Sequence, residues 1–87
     1  MVNSDSAHAS IVASHFAWQL AGARQRWGLT RRESDVLGHL AWGEANKTIA
    51  LGLDCAESTV ETHVTKLLRK SGADARAVLV AKFWTSG

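Results

Sequence analysis

The sequence predicts an all-α domain, and three observations carry that expectation. The chain contains no proline, so nothing in it forbids long helical runs. Strict apolar/polar alternation of the half-buried strand type is absent over any useful length, whereas apolar residues recur at helical spacing in several stretches. The word Thr30-Arg31-Arg32-Glu33 has the form of a capping box, in which a threonine oxygen accepts the backbone N–H three residues on and a glutamate reaches back to the cap.

The elements follow in order. Residues 1–6 are polar and are expected to be a flexible terminus. Over 7–27 an amphipathic helix is expected, with Val12, Phe16, Leu20, Ala23 and Trp27 on one stripe. Ile11 and Trp18 lie on another side, where they either meet a partner or are plain surface. The capping box starts the next helix; Val36, Leu37, Leu40 and Ala41 form its buried stripe, and Gly43 can supply the left-handed residue that ends it. A short helix from about Asn46 to Gly52 turns Ile49 and Ala50 inward. Leu53-Asp54-Cys55-Ala56 reads as a tight turn, since aspartate tolerates positive φ better than most residues.

The stretch 57–71 forms a further regular helical pattern. Val60, Val64, Leu67 and Leu68 share one side of its helical wheel and must face a core. The opposite side carries Ser58, Thr62, Thr65, Lys66 and Arg69, with Thr59 at one edge and Glu61 at the other. A last helix over 74–85 spreads Val78, Leu79, Val80, Ala81, Phe83 and Trp84 around most of its circumference. Such a helix needs cover on more than one side.

Composition narrows the function. A domain of 87 residues buries only roughly 60% of its unfolded surface, enough for a core but not for a deep catalytic cleft. No Gly-rich phosphate loop, nucleophile motif or apolar carboxylate pair is present, so no enzyme is expected. His8, His15, His39 and His63 with Cys55 lack the close spacing of a zinc site, and no cofactor is expected. The lone Cys55 forms no internal disulfide and is either a small core residue or a redox sensor. No apolar run approaches the ~20 residues that span a bilayer, and the start "MVNSDSAHAS" lacks signal-peptide order. The expectation is a cytoplasmic protein with no membrane partner.

The formal charge of +2 and pI near 9.1 are compatible with nucleic acid but decide little. Within residues 28–73, Arg31, Arg32, Lys47, Lys66, Arg69 and Lys70 are matched by Glu33, Asp35, Glu44, Asp54, Glu57 and Glu61. Placement of charge must therefore carry the argument. Glu57 stands in the first turn of its helix, where a carboxylate favours the dipole.

From Leu29 to about Leu79 the chain resembles the DNA-binding domain of the LuxR/GerE family of bacterial transcription regulators. The matching words are Leu29-Thr30-x-Arg32-Glu33-x-x-Val36-Leu37, Gly43-x-x-Asn46-Lys47-x-Ile49-Ala50, Glu57-Ser58-Thr59-Val60-x-x-His63 and Leu68-Arg69-Lys70-x-Gly72. The resemblance implies a four-helix domain over 28–87 containing a helix-turn-helix, preceded here by one additional N-terminal helix. It implies that helix 57–71 enters the major groove of promoter or operator DNA, with Ser58, Glu61, Thr62 and Thr65 toward base edges and Lys47, Thr59, Lys66 and Arg69 toward phosphates. It further implies a homodimer through the last helix, at Val78, Leu79, Phe83 and Trp84, with RNA polymerase as a further partner. Phe83 and Trp84 could instead close the monomer core against the N-terminal helix. His63 would cap or line the DNA-facing edge. Trp18, Trp27, Trp42 and Trp84 would be core or dimer anchors, since a duplex reader needs no platform for unstacked bases.

Departures from the family pattern matter as well. Family members often carry a basic residue at the positions of Gly52 and Glu61. Glu61 would repel phosphate, pair locally, or accept a hydrogen bond from a base edge such as cytosine N4. Ala56 stands where an N-cap serine is common, a loss of about 0.5–2 kcal/mol of helix stability. These departures leave open a second class of function, a protein-interaction module that keeps the frame and uses Trp18, Phe83 or Trp84. Lys47, Lys66, Arg69 and Lys70 argue for DNA. A sigma-factor region 4 domain also uses a helix-turn-helix, but the His63 word and the Leu-Arg-Lys-x-Gly ending favour the LuxR/GerE type. Nothing in residues 1–27 is large enough to be a sensing domain, so the chain is either a stand-alone member or a piece of a longer regulator.

Overall fold

The computed structural model describes residues 4–85, with side chains from residue 12 onward. Among these residues it is all-helical: α1 (Ser4–Trp27), α2 (Arg31–Ala41), α3 (Asn46–Leu53), α4 (Glu57–Ser71) and α5 (Arg76–Thr85). Of the stretch expected to be flexible, residues 1–3 lie outside the described part and residues 4–6 belong to α1. The side chain of Ile11 also lies outside it.

Local chemistry sets the boundaries. Thr30 caps α2 as a full capping box: its Oγ1 accepts the Glu33 N–H at 3.1 Å, and Glu33 Oε1 accepts the Thr30 N–H at 2.9 Å. Trp42 closes that helix and Gly43 follows at φ +78°, a conformation that costs glycine nothing. Asp54 ends α3 in the left-handed region at φ 53°, as its residue type allowed. The N-caps of α3 and α4 are Ala45 and Ala56, and neither side chain bonds to its helix. Those two helix starts depend on packing instead.

The core lies among all five helices. Val36, Leu37 and Leu40 of α2, Ile49 of α3, Val60 and Leu67 of α4, and Leu79 and Phe83 of α5 are all fully or almost fully buried. Burial of each such side chain is worth about 1.5–3 kcal/mol. The expected α4 stripe is divided: Val60 and Leu67 sit in the core, while Val64 and Leu68 are half-buried at its margin. Cys55 is half-buried against the same core.

α1 lies across α2 and α5. Ala23 is buried, and Phe16, Leu20 and Trp27 pack at the core's edge. The close approach falls at Gly38, where an added Cβ would stand 3.4 Å from Leu20 Cδ2. Gln19, which the sequence reading did not single out, is buried and donates through Nε2 to the carbonyls of Phe83 at 3.0 Å and Trp84 at 3.3 Å. It thereby holds two of the carbonyls that the end of α5 would otherwise leave without partners.

The contents of the α5 surface differ from expectation. Leu79 and Phe83 are wholly buried within the monomer, so neither is available to a partner as the chain stands. Phe83 stacks edge-on with Phe16 at 5.9 Å and with Trp84 at 4.9 Å. Trp84 also donates its indole N–H to Ala41 O at 2.9 Å. Only Val78 and Trp84 of the four expected interface residues are exposed. The physical reason is that α1 and α2 already supply the second cover that the nearly all-round apolar helix required.

Candidate nucleic-acid interface

α3, the turn at 54–56 and α4 form a helix-turn-helix, with α4 held from behind by α2 and α3. Its outer face is open. Ser58, Thr59, Glu61, Thr62, Thr65, Lys66 and Arg69 are exposed, and so is Lys47 on α3. All eight residues expected to meet DNA therefore lie at the surface, seven of them on one helix. Lys47, Lys66 and Arg69 form no ion pair among the described residues.

Charge is graded along the motif. The exposed acids Asp54, Glu57 and Glu61 occupy its first part, and Lys66 and Arg69 its last turns. Glu57 in the first turn and Arg69 in the last both suit the α4 dipole. The hydroxyls of Thr62 and Thr65 donate to their own helix, to Ser58 O and Glu61 O at 3.0 Å each. Outward they present methyl groups and oxygen lone pairs, which permits a close approach of the helix to another surface.

Two sequence expectations need correction. Lys70, counted among the cations that argue for DNA, is engaged within the fold. Its Nζ lies 2.7 Å from Glu33 Oε1 and 3.3 Å from Gly28 O, because the wheel turns residue 70 back toward the start of α2. Glu33 is only 2% exposed. Burial pushes its carboxyl pKa up, but the hydrogen bonds from Lys70 and Thr30 and the Lys70 charge outweigh this and hold it below the ordinary value. His63, expected at the DNA-facing edge, is half-buried with Nδ1 turned inward and unbonded among the described residues.

Several positioning residues escaped the sequence reading. Arg32 donates to Leu53 O at 2.6 Å, tying α2 to the end of α3. Arg76 bonds to Asn46 Oδ1 and, at 2.6 Å, to Glu44 O, so that α5 fixes the start of α3 beside Lys47. Both are long-range contacts to backbone or loop, which no periodicity reports. Trp42, Trp84 and Phe16 form a partly exposed aromatic cluster, with Trp42 and Trp84 at 5.2 Å. Trp18 is exposed and stacks on His15 of its own helix.

A short helix pinned at both ends, a left-handed turn and a longer helix with a polar outer face define a helix-turn-helix domain. Residues 28–83 match the family described as bacterial regulatory proteins, luxR family, and the chain belongs to that family. It is 57% identical over 42 residues to the uncharacterized transcriptional regulatory protein YhcZ of Bacillus subtilis, covering 48% of this chain and 20% of that protein. It is 41% identical over 78 residues to the probable transcriptional regulatory protein NarL of Mycobacterium tuberculosis, covering 83% and 36%. The nitrate/nitrite response regulator protein NarL of Escherichia coli is 41% identical over 70 residues, covering 80% and 32%. The chain thus spans about a fifth to a third of these relatives' length. No solved structure matches it. The family consists of transcription regulators and not enzymes, and no described helix is long and apolar enough to cross a membrane.

Proposed function

We propose that the chain is the sequence-reading DNA-binding module of a bacterial transcription regulator, with α4 seated in the major groove of duplex DNA. The observation that carries this reading is the exposed outer face of α4. Its side chains are short and polar where close approach is needed, and at the end where phosphates would lie they are cationic and in no ion pair among the described residues. Ser58, Glu61, Thr62 and Thr65 would face base edges. Lys47, Thr59, Lys66 and Arg69 would contact phosphates, fixing register without reading sequence. The related regulators support the same reading.

The proposal includes a two-fold dimer, for which exposed Val78 and Trp84 on α5 are the available apolar contacts. RNA polymerase is the partner that binding at a promoter brings within reach. Selection of sites from a random duplex pool by the purified protein tests the whole reading. A two-fold symmetric motif with half-sites about one helical turn apart is expected. Weak, salt-sensitive binding with no motif would overturn it in favour of a protein-interaction module.

A further inference from the structure

The exposed carboxylate of Glu61 flanks the outer face of α4 with no partner among the described residues. The neighbours within reach on its own helix, three and four residues away, are Glu57, Ser58, Val64 and Thr65, none of them a cation. Thr65 has already turned its hydroxyl hydrogen to the Glu61 carbonyl, and Thr62 has turned its own to Ser58 O. An acceptor-only group therefore stands at one edge of the face, beside Thr62 and Thr65, whose donors are in use.

We infer that Glu61 is a specificity determinant that selects cytosine at one position of each half-site. This rests on the reading of α4 as the groove helix. An ionised carboxylate can only accept hydrogen bonds, and in the major groove only cytosine N4 and adenine N6 donate. Adenine carries the N7 acceptor beside its donor, so the second carboxylate oxygen is repelled there. Guanine offers two acceptors, and thymine one acceptor and a methyl group. On cytosine the N4 donor is flanked by a C–H edge, and the carboxylate meets no opposing lone pair on that base. The same charge lowers affinity for every other sequence, so discrimination arises from rejection as much as from attraction.

The chemistry predicts a change of preference. In Glu61→Gln the side chain gains a donor, and a carboxamide matches the paired N6 donor and N7 acceptor of adenine. Binding-site selection is run in parallel on the wild type, Glu61→Gln and Glu61→Ala, with circular dichroism melts to confirm that all three are folded. One position of the wild-type motif should favour C·G on the order of tenfold. That position should turn to A·T in Glu61→Gln and become indifferent in Glu61→Ala, with the rest of the motif unchanged. Identical motifs in all three proteins, with the variants merely tighter on every sequence, would overturn the inference and leave Glu61 as a repulsive charge. Absence of any wild-type motif would overturn it together with the groove reading, and the two failures are distinguished by whether the remaining positions survive.

Discussion

The inner and outer faces of α4 use the same residue types for opposite ends. Arg69 and Lys70 are adjacent in sequence, yet Arg69 is exposed and in no ion pair among the described residues, whereas Lys70 reaches back to a nearly buried carboxylate on α2. Likewise Glu33 is enclosed by its capping threonine and Lys70, while Glu61 forms no ion pair among the described residues. Counting charges on a recognition helix overstates what it can offer a polyanion. Here part of the charge builds the fold, and the remainder, set apart by one step of the wheel, is left for a partner.

The largest expected effect comes from placing a charge on the inner face. Val60 is fully buried, so Val60→Asp should destabilise by more than about 4 kcal/mol and leave the chain largely unfolded in a chemical denaturation experiment. Val64 is only half-buried, and the same change there should cost less. Retention of a cooperative native-like transition by Val60→Asp would break the division into faces.

Lys70→Ala should cost ~2 kcal/mol, because it removes a charged hydrogen-bond partner from a buried carboxylate. The pH dependence sharpens this. Glu33 has a depressed folded-state pKa, so its contribution is present above the ordinary carboxylate value of about 4.3 and is lost as pH falls through the folded value. The difference in stability between wild type and Lys70→Ala should be full at neutral pH and close under acid, when Glu33 is protonated in both. A difference that persisted unchanged at low pH would show that Lys70 acts through its alkyl stem instead.

Much of the frame was legible in the sequence because it rests on local chemistry. The Thr30–Glu33 box, the left-handed Asp54 and the span of α4 depend on residues within a few positions of one another. The four motif words placed the domain in its family, and the wheel put the seven proposed contact residues of α4 on the side that is exposed. The engagement of Lys70 was not legible because its partner lies 37 residues away and is itself a capping residue whose second role no pattern marks. A dimer through Leu79 and Phe83 and a monomer core closed by Phe83 were both open in the sequence, because an all-round apolar helix looks the same whether its second cover is another copy or, as here, α1 and α2. Gln19 and Arg76 act on backbone and loop atoms of distant elements, and only the packed structure brings them there.

The smallest effect on stability is expected on the outer face, and there the central claim is most exposed to test. Lys66→Ala and Arg69→Ala should each change stability by no more than about 0.5 kcal/mol. The decisive measurement is the slope of log binding constant against log salt concentration on one duplex, for wild type and both variants. A slope shallower by roughly 0.9 is expected for each lost phosphate contact, with a similar loss of affinity on all sequences. Slopes identical to wild type in both variants would contradict the assignment of α4's outer face to DNA.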